Sequence, residues 1–216
     1  MIVLDLATMP YRQAWDLQEQ AHSAVSAGEE ERLLLVEHPP VITFGRRPNV
    51  QQNLITPPDQ LARLNVEVVQ SDRGGNITFH GPGQIVAYPI VRLIDHQLSI
   101  GGYVRRLEEA VISTLADFNI PARKDPSAIG VWVAHQGQLR KICALGVRVR
   151  RGVSMHGIAL NVTTDLRFFN LIVPCGLAGR GVTSMRQLLG DTTPTMPQVK
   201  TTLQRHITQA FSHGDK

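Results

Sequence analysis

Apolar residues recur along this chain with two spacings, one suited to helices and one to strands. Residues 2–6 are a short apolar run that predicts a strand. Thr8-Met9-Pro10 then opens a helix, with proline accepted in its first turn. Tyr11, Ala14, Trp15, Leu17, Ala21 and Val25 give that helix an apolar face, and Trp15 is read as core. Residues 32–37 are apolar almost without interruption, as in a buried strand. His38-Pro39-Pro40 stops that run, and residues 41–45 resume extended structure. Pro57-Pro58 leads into one short helix at 59–64, and residues 66–70 form a further strand.

Residues 73–90 are the centre of the pattern: Arg-Gly-Gly-Asn-Ile-Thr-Phe-His-Gly-Pro-Gly-Gln-Ile-Val-Ala-Tyr-Pro-Ile. Gly74-Gly75 allows backbone conformations closed to other residues and close approach of a ligand. From Asn76 to His80 the pattern alternates, with Thr78 and His80 opposite Ile77 and Phe79. Gly81-Pro82-Gly83 is a turn signal, and residues 84–90 read as the return strand of a hairpin. Thr78, His80 and the free amides of Gly74-Gly75 would then converge where a small polar group, such as an acyl carbonyl, is held.

Downstream, residues 99–119 form an amphipathic helix through Val104, Leu107, Val111, Leu115 and Phe118. Residues 129–134, 139–149 and 153–162 read as three meandering strands joined by polar turns. Met155, Gly157, Ala159 and Asn161 share one face of the last, and the small pair leaves room for a ligand. Residues 168–173 predict one more strand, broken at Pro174-Cys175-Gly176. Ser184-x-x-Gln187 and Thr195-x-x-Gln198 are helix-start signatures. The second opens a terminal helix with Val199, Leu203, Ile207, Ala210 and Phe211 inward. Helices mixed with meandering strands predict an α+β (mixed α/β) single domain rather than a doubly wound parallel sheet.

Composition narrows the function classes. With 216 residues and 43% apolar content, a sizeable core is expected. No apolar run is long enough for a membrane span, and the first residues lack the form of a signal peptide. Two cysteines, Cys143 and Cys175, do not make a disulfide framework, which suits a reducing cytoplasmic setting. Basic residues exceed acidic ones by four, and the pI is near 9.4. That balance suits an acidic partner, yet no nucleic-acid motif accompanies it. A nucleophile elbow, a phosphate-binding loop, a dinucleotide fingerprint and a zinc signature are all absent, so no cofactor or metal is expected.

Cys143 lies inside an apolar strand, where cysteine behaves as a small hydrophobe. Cys175 lies at a strand break, where a thiol can be presented. The thiolate is the reactive form, so a base or cation must stand near. Lys141, opening an otherwise apolar strand, is the candidate, since burial lowers a lysine pKa. These spacings alone do not show that the two side chains meet.

Arg73-Gly-Gly-x-x-Thr78-x-His80-Gly-Pro-Gly-Gln84-x-Val86-x-Tyr88-Pro-Ile90 resembles the signature of the bacterial lipoyl(octanoyl) transferases. Lys141-Ile142, Gly146-Val147-Arg148, the segment 156–161, Val173-Pro174-Cys175-Gly176 and the segment 34–46 resemble the same family, in the family's order. The resemblance implies a mixed sheet flanked by helices, as in lipoate-protein ligases and the biotin-ligase catalytic domain. It implies transfer of an octanoyl group from octanoyl-acyl carrier protein. The acceptors it implies are lysines on the lipoyl domains of 2-oxoacid dehydrogenase E2 subunits and on the glycine-cleavage H protein. Cys175 falls on the family's nucleophile and Lys141 on its lysine. Acyl binding falls on Arg73, Gly74, Gly75, Asn76, Ile77, Thr78, Phe79 and His80, on Ala144, Leu145 and Gly146, and on Gly157, Ile158 and Ala159. Phe79 stands where tyrosine is common, and Cys143 where a small non-cysteine residue is usual. Arg46, Arg148, Arg150 and Arg151 are candidate carrier-docking residues. The alternatives are an ATP-dependent lipoate-protein ligase on the same fold, an amidotransferase acting between two protein lysines, and a basic binding module without chemistry.

Overall fold

The computed structural model describes residues 1–173 and 180–212. Among the described residues, ten strands and five α-helices follow one another along the chain. The first half contains β1 (Ile2–Thr8), α1 (Tyr11–Ser26), β2 (Arg32–Glu37), β3 (Val41–Phe44), α2 (Pro58–Arg63), β4 (Glu67–Gln70), β5 (Thr78–His80) and β6 (Gln84–Ile90). The second half contains α3 (Ile100–Ala116), β7 (Ala122–Lys124), β8 (Val131–His135), β9 (Gln138–Arg150), β10 (Val153–Asn161), α4 (Met185–Leu189) and α5 (Met196–Ala210).

Seven strands form one sheet in the order β1-β2-β6-β10-β9-β8-β7, and β4-β3-β5 form a second. The sheets are mixed: β1/β2 and β3/β4 run parallel, and the other pairs are antiparallel. Alternation sorts the central strands onto two cores. Leu33, Leu35, Ile85, Ala87, Ile158 and Leu160 pack with α3 and α5. Leu34, Val36, Val86, Tyr88 and Ala159 face α1, which contributes Ala14, Ala21 and Val25. Strand β6 is buried at every position because both its faces are covered and both its edges are paired.

The helix starts follow their sequence signals. Ser99 caps α3 by accepting from the Gly102 amide, Ser184 caps α4 through the Gln187 amide, and Thr195 with Gln198 forms a capping box at α5. The β8–β9 and β9–β10 turns carry Gln136-Gly137 and Arg151-Gly152, all with positive φ, as a two-residue hairpin turn requires.

Three local expectations are corrected. Strands β5 and β6 do not form a hairpin: β5 pairs with β3, and β6 lies between β2 and β10. The Gly81-Pro82-Gly83 turn therefore carries the chain from one sheet to the other. Residues 168–173 are not a strand. The segment Leu166–Leu171 is a 3₁₀ helix, and one bridge from Ile172 to Leu54 is its extended remnant. Phe168 turns inward to stack on Phe79, with ring centroids 4.7 Å apart. Lys141 does not open its strand but lies four residues into it, past Gln138.

Candidate active site

Between Val131 and Trp132 of β8 the register with β9 shifts: Val131 faces Cys143, and Trp132 faces Lys141. Ile142 is the extra residue of a β-bulge. Both Ile142 and Cys143 consequently enter the core against α3 and α5. Lys141 is left on the opposite side, with Ala144 and Gly146. Simple alternation would have put Lys141 and Cys143 on one face.

That side of β9 walls a cavity of about 770 Å³, within the usual size of small-molecule sites. Arg73, Gly74, Gly75, Asn76, Ile77, Thr78 and His80 line it from one side. Lys141, Ala144, Leu145 and Gly146 line it from β9, and Gly157, Ile158 and Ala159 from β10. The sequence-predicted positions thus come together, with three qualifications. Phe79 does not line the cavity; its ring is buried against Phe168 and Phe169. The Gly74 amide is not free, because it donates to the Val147 carbonyl at 2.9 Å. Gly157 is small chiefly for the sheet: a Cβ there would stand 2.2 Å from the Ala87 carbonyl oxygen. Cys175 lies outside the described residues.

The Lys141 ammonium donates to the Ile129 carbonyl at 2.9 Å and sits 4.7 Å from the centre of the Trp132 ring. Burial pushes its pKa down, and the Arg180 charge adds to that, while Asp125 and Glu108 oppose it. Arg180 lies over the same Trp132 ring at 4.4 Å and pairs with Asp125. The main chain of Lys141 is held as well. Its amide donates to Gly181 O at 3.0 Å, and its carbonyl accepts from the Thr183 amide at 2.9 Å. The strand piece that follows residues 174–179 is therefore fastened directly to Lys141.

Opposite, Arg73 is buried and held by oxygens other than carboxylates. It donates to the Thr43 carbonyl at 2.7 Å, to Thr43 Oγ1 at 3.0 and 3.1 Å, and to the Gly74 carbonyl at 3.0 Å. Guanidinium keeps its charge even when buried. Because Arg73 can only donate, the Thr43 hydroxyl proton is turned to His80 Nε2, 3.4 Å away. His80 is neutral, its pKa pushed well down by burial and by the charges around it. Its proton sits on Nδ1 and is donated to Gln84 Oε1 at 2.7 Å. Both ring nitrogens are thus occupied, and His80 is no base. The same holds for His38, whose Nδ1 donates to Met9 O at 2.7 Å while Nε2 accepts from the Tyr88 hydroxyl at 2.8 Å.

Several cavity residues escaped the sequence reading. His156 has a left-handed φ of 57°, which rotates it out of strand alternation toward the cavity. It donates from Nε2 to Asp72 at 2.6 Å and is kept neutral, near pKa 3, by burial and by Arg73 and Arg148. Tyr11 and Tyr88 also line the wall. Glu108, buried, accepts from the Gly130 amide at 3.0 Å. Its signal was in the sequence: it falls on the apolar stripe of α3, four residues after Val104 and three before Val111. Exposed Ile100 and Ile129 line the cavity together with exposed Arg47, Arg105 and Ser127, so its accessible rim is mixed apolar and basic. Two proposed docking arginines are engaged internally: Arg148 pairs with Asp72, and Arg150 with Glu19 at 2.5 Å. Arg46 and Arg151 are exposed.

Among the described residues, no helix is long and apolar enough to cross a membrane. The arrangement joins a half-buried amine with a lowered pKa to a cavity walled in part by glycine-rich backbone.

Comparison with known proteins gives a consistent picture. Residues 10–208 match the model of the lipoyl protein ligase A/B catalytic domain. The octanoyltransferase of Roseiflexus sp. (strain RS-1) is 47% identical over 213 residues, spanning 98% of this chain and 87% of that protein. Among solved structures, lipoate-protein ligase A bound with ATP superposes with a TM-score of 0.78 at 17% identity, covering 97% of this chain and 84% of that one. The biotin protein ligase of Aquifex aeolicus superposes with a TM-score of 0.54 at 11% identity, covering 97% and 68%. At such identities these two structures establish the fold alone. The chain belongs to the lipoyl protein ligase A/B catalytic-domain family, whose members include octanoyltransferases closely similar to it.

Proposed function

We propose that this protein transfers octanoyl groups from octanoyl-acyl carrier protein to lysine side chains of lipoyl domains, through a thioester on Cys175. The observation that carries the reading is Lys141. It is a half-buried amine with a lowered pKa on the wall of the cavity, and its main chain is bonded to the segment directly following the Cys175 stretch. The relationship to octanoyltransferases supports the acyl group and the reaction class.

In its neutral form Lys141 keeps one N–H on Ile129 O and has a lone pair to spare. It takes the Cys175 thiol proton, and the thiolate attacks the octanoyl carbonyl. The bond to the carrier thiol breaks, and that sulfur leaves with the proton returned by Lys141. Exchange of one thioester for another is nearly isoenergetic. The acceptor lysine amine then attacks the acyl-cysteine, Lys141 accepts its proton, and the Cys175 sulfur leaves. Amide formation from a thioester is downhill, so no nucleotide is consumed. A covalent relay predicts ping-pong kinetics. The aliphatic chain lies in the cavity along Ala144, Gly146, Gly157 and Ala159. The basic balance of the chain suits an acidic carrier, with exposed Arg46 and Arg151 the remaining docking candidates.

Initial rates with both substrates varied, for the protein and for Cys175→Ser, test the reading. Parallel double-reciprocal lines and loss of transfer in the variant are expected. Normal transfer by Cys175→Ser would overturn it.

A further inference from the structure

The polar chain that begins at Arg73 does not stop at His80. Gln84 spends its Oε1 on His80, so its Nε2 faces Asn161 Oδ1 at 2.9 Å, with a second contact to Phe79 O at 3.3 Å. Asn161 Oδ1 is thereby fixed as the acceptor. Its Nδ2 must point the other way, and it donates to the Thr183 carbonyl at 3.0 Å. The Thr183 amide in turn donates to Lys141 O. Thr183 is fully buried, and Gln84 and Asn161 nearly so. One-way donation from a guanidinium therefore sets the orientation of each amide in turn, across the cavity floor, as far as the segment bonded to Lys141. Val182, between the two bonds to Lys141, lines the cavity beside it.

We infer that Asn161, oriented by Gln84, is a positioning residue for the transfer reaction: it holds the 181–183 segment over Lys141. The inference rests on the reading of Lys141 as the proton-handling group. The segment bears on that group in two ways. It follows the Cys175 stretch in sequence, and its own register is set by the two main-chain bonds to Lys141. It also sets Val182 beside Lys141 on the cavity wall, and burial is the main cause of the lowered pKa. Replacing Asn161 by aspartate keeps the acceptor for Gln84 and sets an oxygen against the Thr183 carbonyl. The segment then detaches, and Lys141 is rehydrated.

The test compares Asn161→Asp and Gln84→Met with Lys141→Ala, measuring kcat, the KM for lipoyl domain and the pH profile of octanoyl transfer. For both positioning variants, kcat falls at least about tenfold, as misplacement of reacting groups predicts. The acid limb of the pH profile moves to higher pH, and the KM for lipoyl domain stays within about twofold. Should Asn161→Asp not fold, Gln84→Met decides, because it leaves Asn161 in place but unoriented. A lowered kcat with an unmoved acid limb means a structural role only and overturns the inference. So does wild-type behaviour of the folded variants while Lys141→Ala is inactive. If Lys141→Ala itself transfers normally, the reading of Lys141 is wrong and the inference goes with it.

Discussion

The Lys141 ammonium lies 4.7 Å from the centre of the Trp132 ring, whose neighbour on the register is Lys141 itself. The ring is fully buried and carries Arg180 as well. A second cation on one ring and the loss of water both favour the neutral amine. Lys141→Arg keeps the charge and much of the shape but cannot give up its proton. Single-turnover transfer should fall by about a hundredfold or more in that variant, with thermal stability little changed. Retention of the rate would show that only a positive charge is needed.

Acid should destabilise the fold through its buried histidines. His38 is pushed down to about 4 by burial, and His156 to about 3 by burial with Arg73 and Arg148. Both are neutral in the folded state, whereas unfolded histidines titrate near 6.5. Between that value and the folded ones, the unfolded chain binds more protons, so stability is full above about pH 6.5 and is lost as pH falls. Each histidine contributes a slope of up to about 1.4 kcal/mol per pH unit in that window. Urea midpoints at pH 7 and pH 5 check this. Equal midpoints would contradict it.

Gly157→Ala would set a methyl 2.2 Å from Ala87 O and 3.0 Å from Pro89 Cδ, at the centre of the main sheet. Overpacking of this kind costs about 1–3 kcal/mol. Gly101→Ala, on α3, meets the Arg105 side-chain end at 3.5 Å and Ser99 Oγ at 4.0 Å, both ordinary contacts. It should be neutral or stabilising by up to about 1 kcal/mol. Denaturant melts of the two variants should therefore move apart.

Cys143 is fully buried, and burial pushes its thiol pKa well up. Iodoacetamide at neutral pH should leave Cys143 unmodified in the native protein and modify it in urea. Cys143→Ala should keep octanoyl transfer within about threefold, apart from any loss through a small cavity. Native alkylation at Cys143, found by peptide mapping, would contradict the burial.

Most of the main sheet was legible because its strands carry their own pattern. The run Leu33 to Val36 and the meander through β8, β9 and β10 announce themselves by apolar content and by turns. What escaped depends on partners distant in sequence. β5 and the return strand look like a hairpin until one sees that β6 has both edges taken by β2 and β10. Phe168 and Phe169 look extended until Phe79 offers a ring to stack on. The bulge at Ile142 has no signal in Lys-Ile-Cys-Ala, yet it decides that Lys141 and not Cys143 faces the cavity. The glycine-rich walls were visible as motif residues. His80 was visible too, and Tyr88 stood in the same motif, but Tyr11 and His156 were not read as site residues, since His156 turns to the cavity through its left-handed backbone. Arg150 reads as a docking candidate in the sequence, and only the fold brings Glu19 to it.

The measurement that bears most directly on the central claim is intact mass after mixing the protein with octanoyl-acyl carrier protein in the absence of ATP, followed by peptide mapping. One octanoyl group on Cys175, discharged on addition of apo lipoyl domain, is the predicted result. An unmodified protein that attaches free octanoate only when ATP and magnesium are supplied would contradict it.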